Sequence, residues 1–136
     1  MRKVQTLSII AALVLIPNAA YAWGREGHQI IALIAARELS PAAKSGVADL
    51  LGEPDASSAM ERYSTWADEI RPSRRDTAPW HYVDIEIDSN GYEAARDCPH
   101  DDCVVGQVDR DISILKDKSL VKPVRAEALR FLIHFV

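Results

Sequence analysis

The sequence lacks three features that would define other classes of protein. No apolar run is long enough to cross a bilayer, which takes about 20 residues; the longest extends only from Leu7 to Ile16. A basic excess is missing too, since 16 Lys and Arg against 20 Asp and Glu give a net charge of −4. That sign excludes a broad basic surface for nucleic acid. There is no internal repeat and no low-complexity segment. Any phosphate-bearing partner would therefore be bound locally, by metal ions or a few arginines.

Cysteine is also scarce. Cys98 and Cys103 are the only two in the sequence, and four residues separate them. In an oxidising compartment such a pair typically forms a local disulfide, which stabilises the fold by roughly 2 kcal/mol in the chain-entropy model. The alternative is a metal-binding loop that also uses His100, although a structural zinc site usually has four ligands.

The amino terminus has the pattern of an export signal. A short cationic start and an apolar run lead to Ala20–Ala22, the small-x-small pattern that signal peptidase recognises. We therefore predict a signal peptide over residues 1–22 and a mature chain that begins at Trp23. That chain, residues 23–136, is one small domain at most. We expect it to be exported to the periplasm or secreted, and not to be held in a membrane once the signal is cleaved.

The predicted new terminus has metal-binding chemistry. An α-amino group has an unperturbed pKa of about 7.7 to 8.0, so the amine of Trp23 can lose its proton at neutral pH. The amine and carbonyl oxygen of Trp23 could close a five-membered chelate ring on a metal, and His28 is near enough in sequence to join them. On this stretch alone, an incidental first residue and a surface histidine is the simpler interpretation.

Periodicity and capping signals predict a mostly helical domain. Helices are predicted over residues 27–39, 41–51, 57–71 and 124–136, and from Cys103 onward. The first is apolar on nearly every side, which is typical of a helix buried in a core. The second has Ser40 as its N-cap and Gly52 after its end. Residues 80–87 alternate between polar or aromatic and aliphatic side chains, which predicts one short extended segment.

The helix that follows the cysteines is predicted to be amphipathic. Its apolar positions recur at helical spacing, and they are Val104, Val108, Ile112 and Leu115. Asp109 and Arg110 fall on the opposite side, which we expect to face solvent. This pattern indicates an ordinary core-facing helix.

Four polar residues in these segments could serve either structure or chemistry. Asp68 lies at the edge of an apolar stripe with Arg71 one turn on, and by itself this indicates a surface ion pair. His81 is flanked by two aromatic residues, and His134 lies inside an apolar run. Each histidine taken alone is compatible with simple packing in a core.

Five short blocks along the chain form a more specific pattern. In order, they are Trp23-Gly-x-x-Gly-His28, Trp66-Ala-Asp68-x-x-Arg71, Trp80-His81-Tyr-Val-Asp84, Cys103-Val-Val-Gly-Gln and Ala128-Leu-Arg-Phe-Leu-Ile-His134-Phe-Val. Together they closely resemble the S1/P1 nuclease family of zinc-dependent enzymes, over essentially all of the mature chain. The resemblance implies an all-α, mostly helical fold of the phospholipase C/P1 nuclease type with three zinc ions. It also implies endonuclease cleavage of single-stranded RNA and DNA to 5′-mononucleotides, often with removal of 3′-phosphates.

The resemblance assigns metal ligands residue by residue. Trp23, through its amine and carbonyl, and His28 match the ligands of one zinc ion. Asp68, His81 and His134 match the ligands of a second, which makes Asp68 part of the catalytic apparatus. Imidazole, carboxylate and a neutral amine are chemically suited to zinc.

The resemblance also assigns the groups around the metals. Arg71 matches the arginine that stabilises charge on the phosphoryl group. Tyr82 and Asp84 match the positions that stack on and hydrogen-bond the base, with tyrosine where phenylalanine is common. Cys98 and Cys103 match a family disulfide. Single-stranded nucleic acid and nucleotides are the implied substrates, and no stable protein partner is expected.

One departure from the family pattern affects activity. In the family, the run after His134 continues into Gly-Asp-x-His-Gln-Pro and later into a His-x-x-x-Asp pair, and neither occurs here. Those residues bridge two zinc ions and hold the third. We therefore expect residues 23–136 to be the amino-terminal part of a domain of roughly 250 residues, and this chain alone to be inactive.

Two alternatives remain open at this level. A zinc-dependent phospholipase C shares the fold, but its spacer between the terminal tryptophan and the first histidine ligand is longer than that between Trp23 and His28. The second alternative is a non-catalytic exported helical module, in which the histidines only pack. The presence or absence of the downstream metal-binding blocks would separate this module from an enzyme.

Overall fold

The computed structural model describes residues 24–136, and helices are its only regular structure there. They are α1 (Arg25–Glu38), α2 (Pro41–Leu51), α3 (Ala56–Tyr63), α4 (Trp66–Ile70), α5 (Ala94–Asp97), α6 (Val104–Lys116) and α7 (Lys122–Phe135), with 3₁₀ helices Arg75–His81 and Pro99–Asp101. The predicted all-α class is confirmed. The predicted signal peptide and Trp23 lie outside the described residues.

Helix α7 is the element against which most of the others pack. It contacts α1, α2, α3, α4 and α6. The buried cluster at its centre consists of Ala32, Ala36, Leu51, Ala59, Met60, Ala126, Leu129 and Ile133. Alanines on three of the helices allow close approach, while the larger side chains each contribute roughly 1.5–3 kcal/mol by burial. The core is therefore built around α7, whose last turn carries His134.

The bounds of α2 follow from local signals, as predicted. The Ser40 hydroxyl accepts a hydrogen bond from the Ala43 amide at 3.2 Å. At the other end, Gly52 has a φ of 72°, and its amide donates to the Ala48 carbonyl. Only glycine adopts this left-handed conformation without steric cost. Both capping predictions are confirmed.

The helix predicted over residues 57–71 is in fact two helices, so that prediction is wrong in its continuity. Helix α3 ends at Tyr63, and α4 begins at Trp66 after the completely buried Ser64. The Ser64 carbonyl accepts a hydrogen bond from His134 Nδ1 at 2.7 Å. A carbonyl occupied by a distant side chain favours a helix end at this point. The interruption thus results from a tertiary contact.

The extended segment predicted over residues 80–87 begins later than expected. Trp80 and His81 complete the 3₁₀ helix, and the backbone becomes extended only at Tyr82, with φ −153° and ψ 169°. The Val104 amide donates to the Tyr82 carbonyl at 3.0 Å, which ties the segment to the start of α6. His81 is therefore the last residue of a tight helical turn and not part of an extended segment.

The predicted burial of α1 on nearly every side is wrong for the described structure. Ile30, Ile31 and Ile34 are 58%, 39% and 51% exposed, whereas Ala32 and Ala36 are buried. The other helices cover only the alanine side of α1. The isoleucine side borders the cleft that is described below.

The buried face of α6 also differs from the prediction. Gly106, Gln107 and Asp111 are its buried residues, while the four predicted apolar positions are only half-buried. The loop that contains Asp101 lies directly against Gly106, where a Cβ would overlap the Asp101 backbone. The Gln107 side chain turns inward and donates a hydrogen bond to the Asp101 carbonyl at 3.3 Å.

Cys98 and Cys103 form a disulfide, with their Cα atoms 5.3 Å apart. The predicted pairing is confirmed, and the alternative metal loop with His100 is excluded for these cysteines. The bond closes the loop just before α6. None of the helices within residues 24–136 has the length and hydropathy needed to span a bilayer.

Candidate metal centre

Four side chains from separate elements meet at the carboxyl end of α7. His28 lies in the first turn of α1, Asp68 in α4, His81 at the end of the 3₁₀ helix and His134 in the last turn of α7. His81 Nε2 and His134 Nε2 lie 3.6 and 3.9 Å from the two carboxylate oxygens of Asp68. The rings of His28 and His134 stack with centroids 4.5 Å apart. We call these four residues the histidine cluster.

Backbone carbonyls fix two of the imidazole rings. His81 Nδ1 donates to the Thr77 carbonyl at 2.9 Å, and His134 Nδ1 donates to the Ser64 carbonyl at 2.7 Å. A carbonyl oxygen only accepts, so Nδ1 carries the proton in each ring. In its neutral form, each ring therefore directs an unprotonated Nε2 toward Asp68. Metal-binding histidines are typically oriented by such outer hydrogen bonds.

Burial keeps His134 in the form that can bind a metal. The residue is only 7% exposed, and burial lowers the pKa of His134, although the Ser64 hydrogen bond and the Asp68 charge partly oppose this. The imidazole is consequently neutral at pH 7. The Asp68 side chain is 46% exposed, so its carboxylate is open to solvent.

The donor set fits a zinc ion. His28, Asp68 and His134 each offer one ligand atom, and these atoms lie within 4.8 Å of one another. His81 Nε2 is buried and has no hydrogen-bond partner in the described part of the chain. Nitrogen and carboxylate donors in this number are typical of zinc sites. The family resemblance assigns His28 to a different zinc ion from the other three residues, but the structure places all three histidines around the Asp68 carboxylate.

Arg71 lies on the solvent side of the cluster. Its Nη1 atom is 3.6 Å from Asp68 Oδ1, and its side chain is half-exposed. Arg71 and Asp68 line an open groove of about 430 Å³ together with Arg75. A guanidinium in this position could reach a phosphate held by a metal ion that Asp68 coordinates. Arg75 has no sequence signal that distinguishes it from the neighbouring Arg74.

A second cleft of about 360 Å³ opens on the other side of the histidines. His28, His81 and His134 form its polar wall, and its apolar wall includes Ile31 and Val104. Of the exposed isoleucines of α1, Ile31 lines this cleft. No sequence signal marks this apolar wall, because its residues come from different helices.

A family model supports the same interpretation. The model described as S1/P1 Nuclease matches residues 23–136. The chain belongs to the S1/P1 nuclease family. The matched range includes the whole histidine cluster and begins at Trp23, the predicted first residue of the mature chain.

Several nucleases are similar to this S1/P1 family member. Nuclease P1 of Penicillium citrinum is 33% identical over 119 residues, which cover 84% of this chain and 44% of that protein. Endonuclease 3 of Arabidopsis thaliana is 33% identical over 137 residues, 94% of this chain and 46% of the relative. Nuclease S1 of Aspergillus oryzae is 28% identical over 138 residues, with shares of 96% and 46%. The chain thus spans a little under half the length of these relatives.

Two of the three tryptophans of the S1/P1 blocks have a structural role beside the cluster. Trp66 and Trp80 each contact Phe131 edge to face, with ring centroids 5.0 and 5.3 Å apart. Such pairs contribute about 0.5–1.5 kcal/mol beyond their buried area. They brace α4 and the 3₁₀ helix against α7, and so position Asp68 and His81.

The predicted base-contacting residues lie just beyond the cluster. Tyr82 directly follows His81 and is 54% exposed. Asp84 is exposed two residues further along. Both are accessible to a ligand, and their roles on a base stay predictions, as does that of Trp23.

Proposed function

We propose that the full-length gene product is a zinc-dependent phosphodiesterase that hydrolyses single-stranded RNA and DNA to 5′-nucleotides, with 3′-nucleotidase activity as well. The observation that carries this proposal is the convergence of His28, His81 and His134 on Asp68. Family membership supports the nuclease class. The activity is proposed for the full-length product, with three zinc ions, and this chain alone is proposed to be inactive.

The histidine cluster would hold the metal. Asp68, His81 and His134 are the proposed ligands of one ion, and His28 with the amino terminus of Trp23 is the proposed pair for another. Zinc bound there would supply Lewis acidity toward a phosphoryl oxygen and a hydroxide nucleophile at neutral pH. The chain's own contribution is orientation, because the Thr77 and Ser64 carbonyls hold the rings before any ligand arrives.

Arg71 would bind the phosphate itself. A guanidinium presents two parallel N–H groups to two phosphate oxygens, and such contacts strengthen as charge develops in the transition state. Its position 3.6 Å from Asp68 supports this role. Tyr82 would stack on a base, and Asp84 would accept a hydrogen bond from the base edge.

We also propose export, with the mature protein periplasmic or secreted. The leader pattern of residues 1–22 supports this, and so does the Cys98–Cys103 disulfide, because disulfides persist in oxidising compartments. The proposed mature protein is free of the membrane and has no stable protein partner.

The test uses the full-length protein expressed with its own leader. Zinc per molecule, the mature amino terminus and the products formed from single-stranded DNA and RNA are measured before and after chelation and zinc return. We expect a terminus at Trp23, bound zinc and 5′-nucleotide products. A metal-free protein that cleaves at the same rate would contradict the proposal.

A matched pair of variants connects the activity to the cluster. Asp68→Asn should lose zinc and activity, whereas Asp109→Asn, an exposed carboxylate on α6, should lose neither. Phosphatidylcholine vesicles serve as the competing substrate. Hydrolysis of the lipid but not of nucleic acid would assign a phospholipase C, and hydrolysis of neither substrate would assign a non-catalytic module.

A further inference from the structure

The turn that follows α4 contains three arginines in different environments. They are Arg71, Arg74 and Arg75, separated only by Pro72 and Ser73. Arg74 is bound by two acids, Asp76 at 3.0 Å and Glu127 at 3.2 Å. Arg71 has the Asp68 carboxylate beside it. Two of the three arginines therefore have acidic neighbours, and Arg75 is the third.

Arg75 has no acidic partner. It is exposed, and within residues 24–136 its side chain makes no ion pair at 4 Å or less. Residues 1–23 contain no Asp or Glu, so they supply no counter-charge. Arg75 lines the 430 Å³ groove with Asp68 and Arg71. Two guanidiniums thus share one open groove with a single carboxylate.

A groove with two guanidiniums favours the binding of an anion in addition to the phosphate that is cleaved. The Asp68 carboxylate is the proposed metal ligand, so a bound metal would take up its charge and leave two guanidiniums, those of Arg71 and Arg75, lining the groove. Like charges in one groove repel, and an anion between or beside them relieves the repulsion. Because the guanidinium of Arg75 is already exposed, binding does not break an existing ion pair. The rest of the chain is acidic, so this positive groove is a local exception.

We propose that Arg75 binds a phosphate of the substrate strand next to the one that is cleaved. The groove of Asp68, Arg71 and Arg75 is then a second phosphate subsite, which favours oligonucleotides over substrates with one phosphate. This inference rests on the proposed nuclease function. It goes beyond that function by naming the residue that distinguishes a polymer from a dinucleotide.

The experiment compares two substrates in the full-length zinc-loaded protein. One is a dinucleoside monophosphate, which has a single phosphate, and the other is a single-stranded octanucleotide. Arg75→Ala is compared with Arg75→Lys and with Arg37→Ala, which removes an exposed charge from the last turn of α1. Steady-state kcat and KM are measured for each variant over a series of salt concentrations.

We expect Arg75→Ala to raise the octanucleotide KM about fivefold at low salt, which is the size of one exposed charge contact, with kcat unchanged. The dependence of log KM on log salt should fall by about 0.7, the value for one phosphate contact on a single strand. The dinucleotide parameters should stay within about twofold. Arg75→Lys should restore the salt dependence, and Arg37→Ala should behave as wild type.

Two results would overturn the subsite. An equal loss on both substrates would mean that Arg75 acts on the scissile phosphate or on the fold, and no loss on the octanucleotide would mean that it binds nothing. If the wild type hydrolyses neither substrate, the proposed function fails. The subsite is then tested by fluorescence anisotropy of the labelled octanucleotide, where Arg75→Ala must still weaken binding.

Discussion

The two sides of α7 differ in what they face. One side faces a site where several side chains converge, and the other faces a single buried carboxyl group. On one side, His134 is 7% exposed and faces the histidine cluster. On the other, Asp111 of α6 is 4% exposed and lines a groove of about 210 Å³ between α6 and α7. Burial lowers the pKa of His134 and raises the pKa of Asp111, so in each case it favours the neutral form. The magnitude of burial therefore does not separate them.

The difference lies in what surrounds each group. His134 donates to the Ser64 carbonyl and faces three other potential ligands. Asp111 Oδ2 has no hydrogen-bond partner in the described part of the chain. Burial raises the pKa of Asp111 to about 7, with Glu127 adding to the shift and Arg110 opposing it. Convergent, oriented groups identify the site, and a shifted pKa alone marks only an energetic cost.

The largest expected effect separates the role of Asp68 in binding zinc from the role of Asp111 in stability. Asp68→Asn should reduce zinc affinity by more than about a hundredfold, beyond the loss typical for outer-shell partners, and activity should fall with it. The free energy of unfolding of the metal-free protein should change little, since this side chain is 46% exposed. Asp111→Asn should do the reverse, with zinc retained and stability altered. Metal content and urea unfolding of both variants are the measurements.

Two results would contradict this difference between Asp68 and Asp111. If Asp111→Asn also releases zinc, then the two sides of α7 are coupled, and Asp111 belongs to the site. If Asp68→Asn retains zinc, the carboxylate is not a ligand.

The second effect is a pH dependence that arises at Asp111. Its folded pKa of about 7 lies above its ordinary value of 3.8, so between these values the folded state holds a proton that the unfolded state has lost. The free energy of unfolding should therefore fall as the pH rises from about 4 to about 7, by up to about 4 kcal/mol from this group. Above pH 7 the penalty is complete and constant.

Asp111→Asn isolates that contribution. The variant should be more stable than wild type at pH 8, and the difference should disappear toward pH 4. Urea unfolding is measured in chelator throughout, so that loss of zinc at low pH does not contribute. A difference between the proteins that is independent of pH would show that Asp111 is not the titrating group.

The sequence predicted the features that depend on neighbouring residues. The caps of α2 at Ser40 and Gly52 are local, and so is the short loop closed by Cys98 and Cys103. Residues 57–71 were misjudged because their interruption depends on a hydrogen bond from His134, far away in the chain. No residue pattern marks a backbone carbonyl that will accept such a bond.

In the candidate site, too, the sequence predicted residue types but not the long-range contacts that orient them. The residue types of the cluster were selected from the family resemblance, but their orientation depends on the Thr77 and Ser64 carbonyls, which have no sequence signature. Asp111 was not selected, because the spacing of apolar residues on α6 indicated a different buried face. Asp111 is instead buried in the groove between α6 and α7, and the loop containing Asp101 closely approaches Gly106; neither contact has a sequence signature.

The third effect tests that close approach. In Gly106→Ala, the new Cβ would overlap the Asp101 backbone, so the loop or α6 must move, at a cost of about 1–3 kcal/mol. Zinc binding should be unchanged, since neither Gly106 nor Asp101 makes the contacts that hold the histidine cluster. Gly46→Ala in α2 is the matched control, because its Cβ meets nothing within 4 Å, and we expect about 0.5–1 kcal/mol of stabilisation. Equal urea midpoints for the two variants would contradict the packing argument.

The smallest effect concerns the ion pair that joins α1 to α4 on the cluster side. Arg25 and Glu69 lie 3.2 Å apart, but their side chains are 61% and 49% exposed, so Arg25→Gln should lower the free energy of unfolding by only about 0.2–1 kcal/mol. Glu69 also accepts a hydrogen bond from Thr65 at 2.7 Å, which is why a double-mutant cycle with Glu69→Gln is needed to isolate the pair. The coupling should disappear in high salt, because exposed charges are screened. A coupling above about 2 kcal/mol that persists in salt would mean that the Arg25–Glu69 pair is shielded from solvent, which its exposure contradicts.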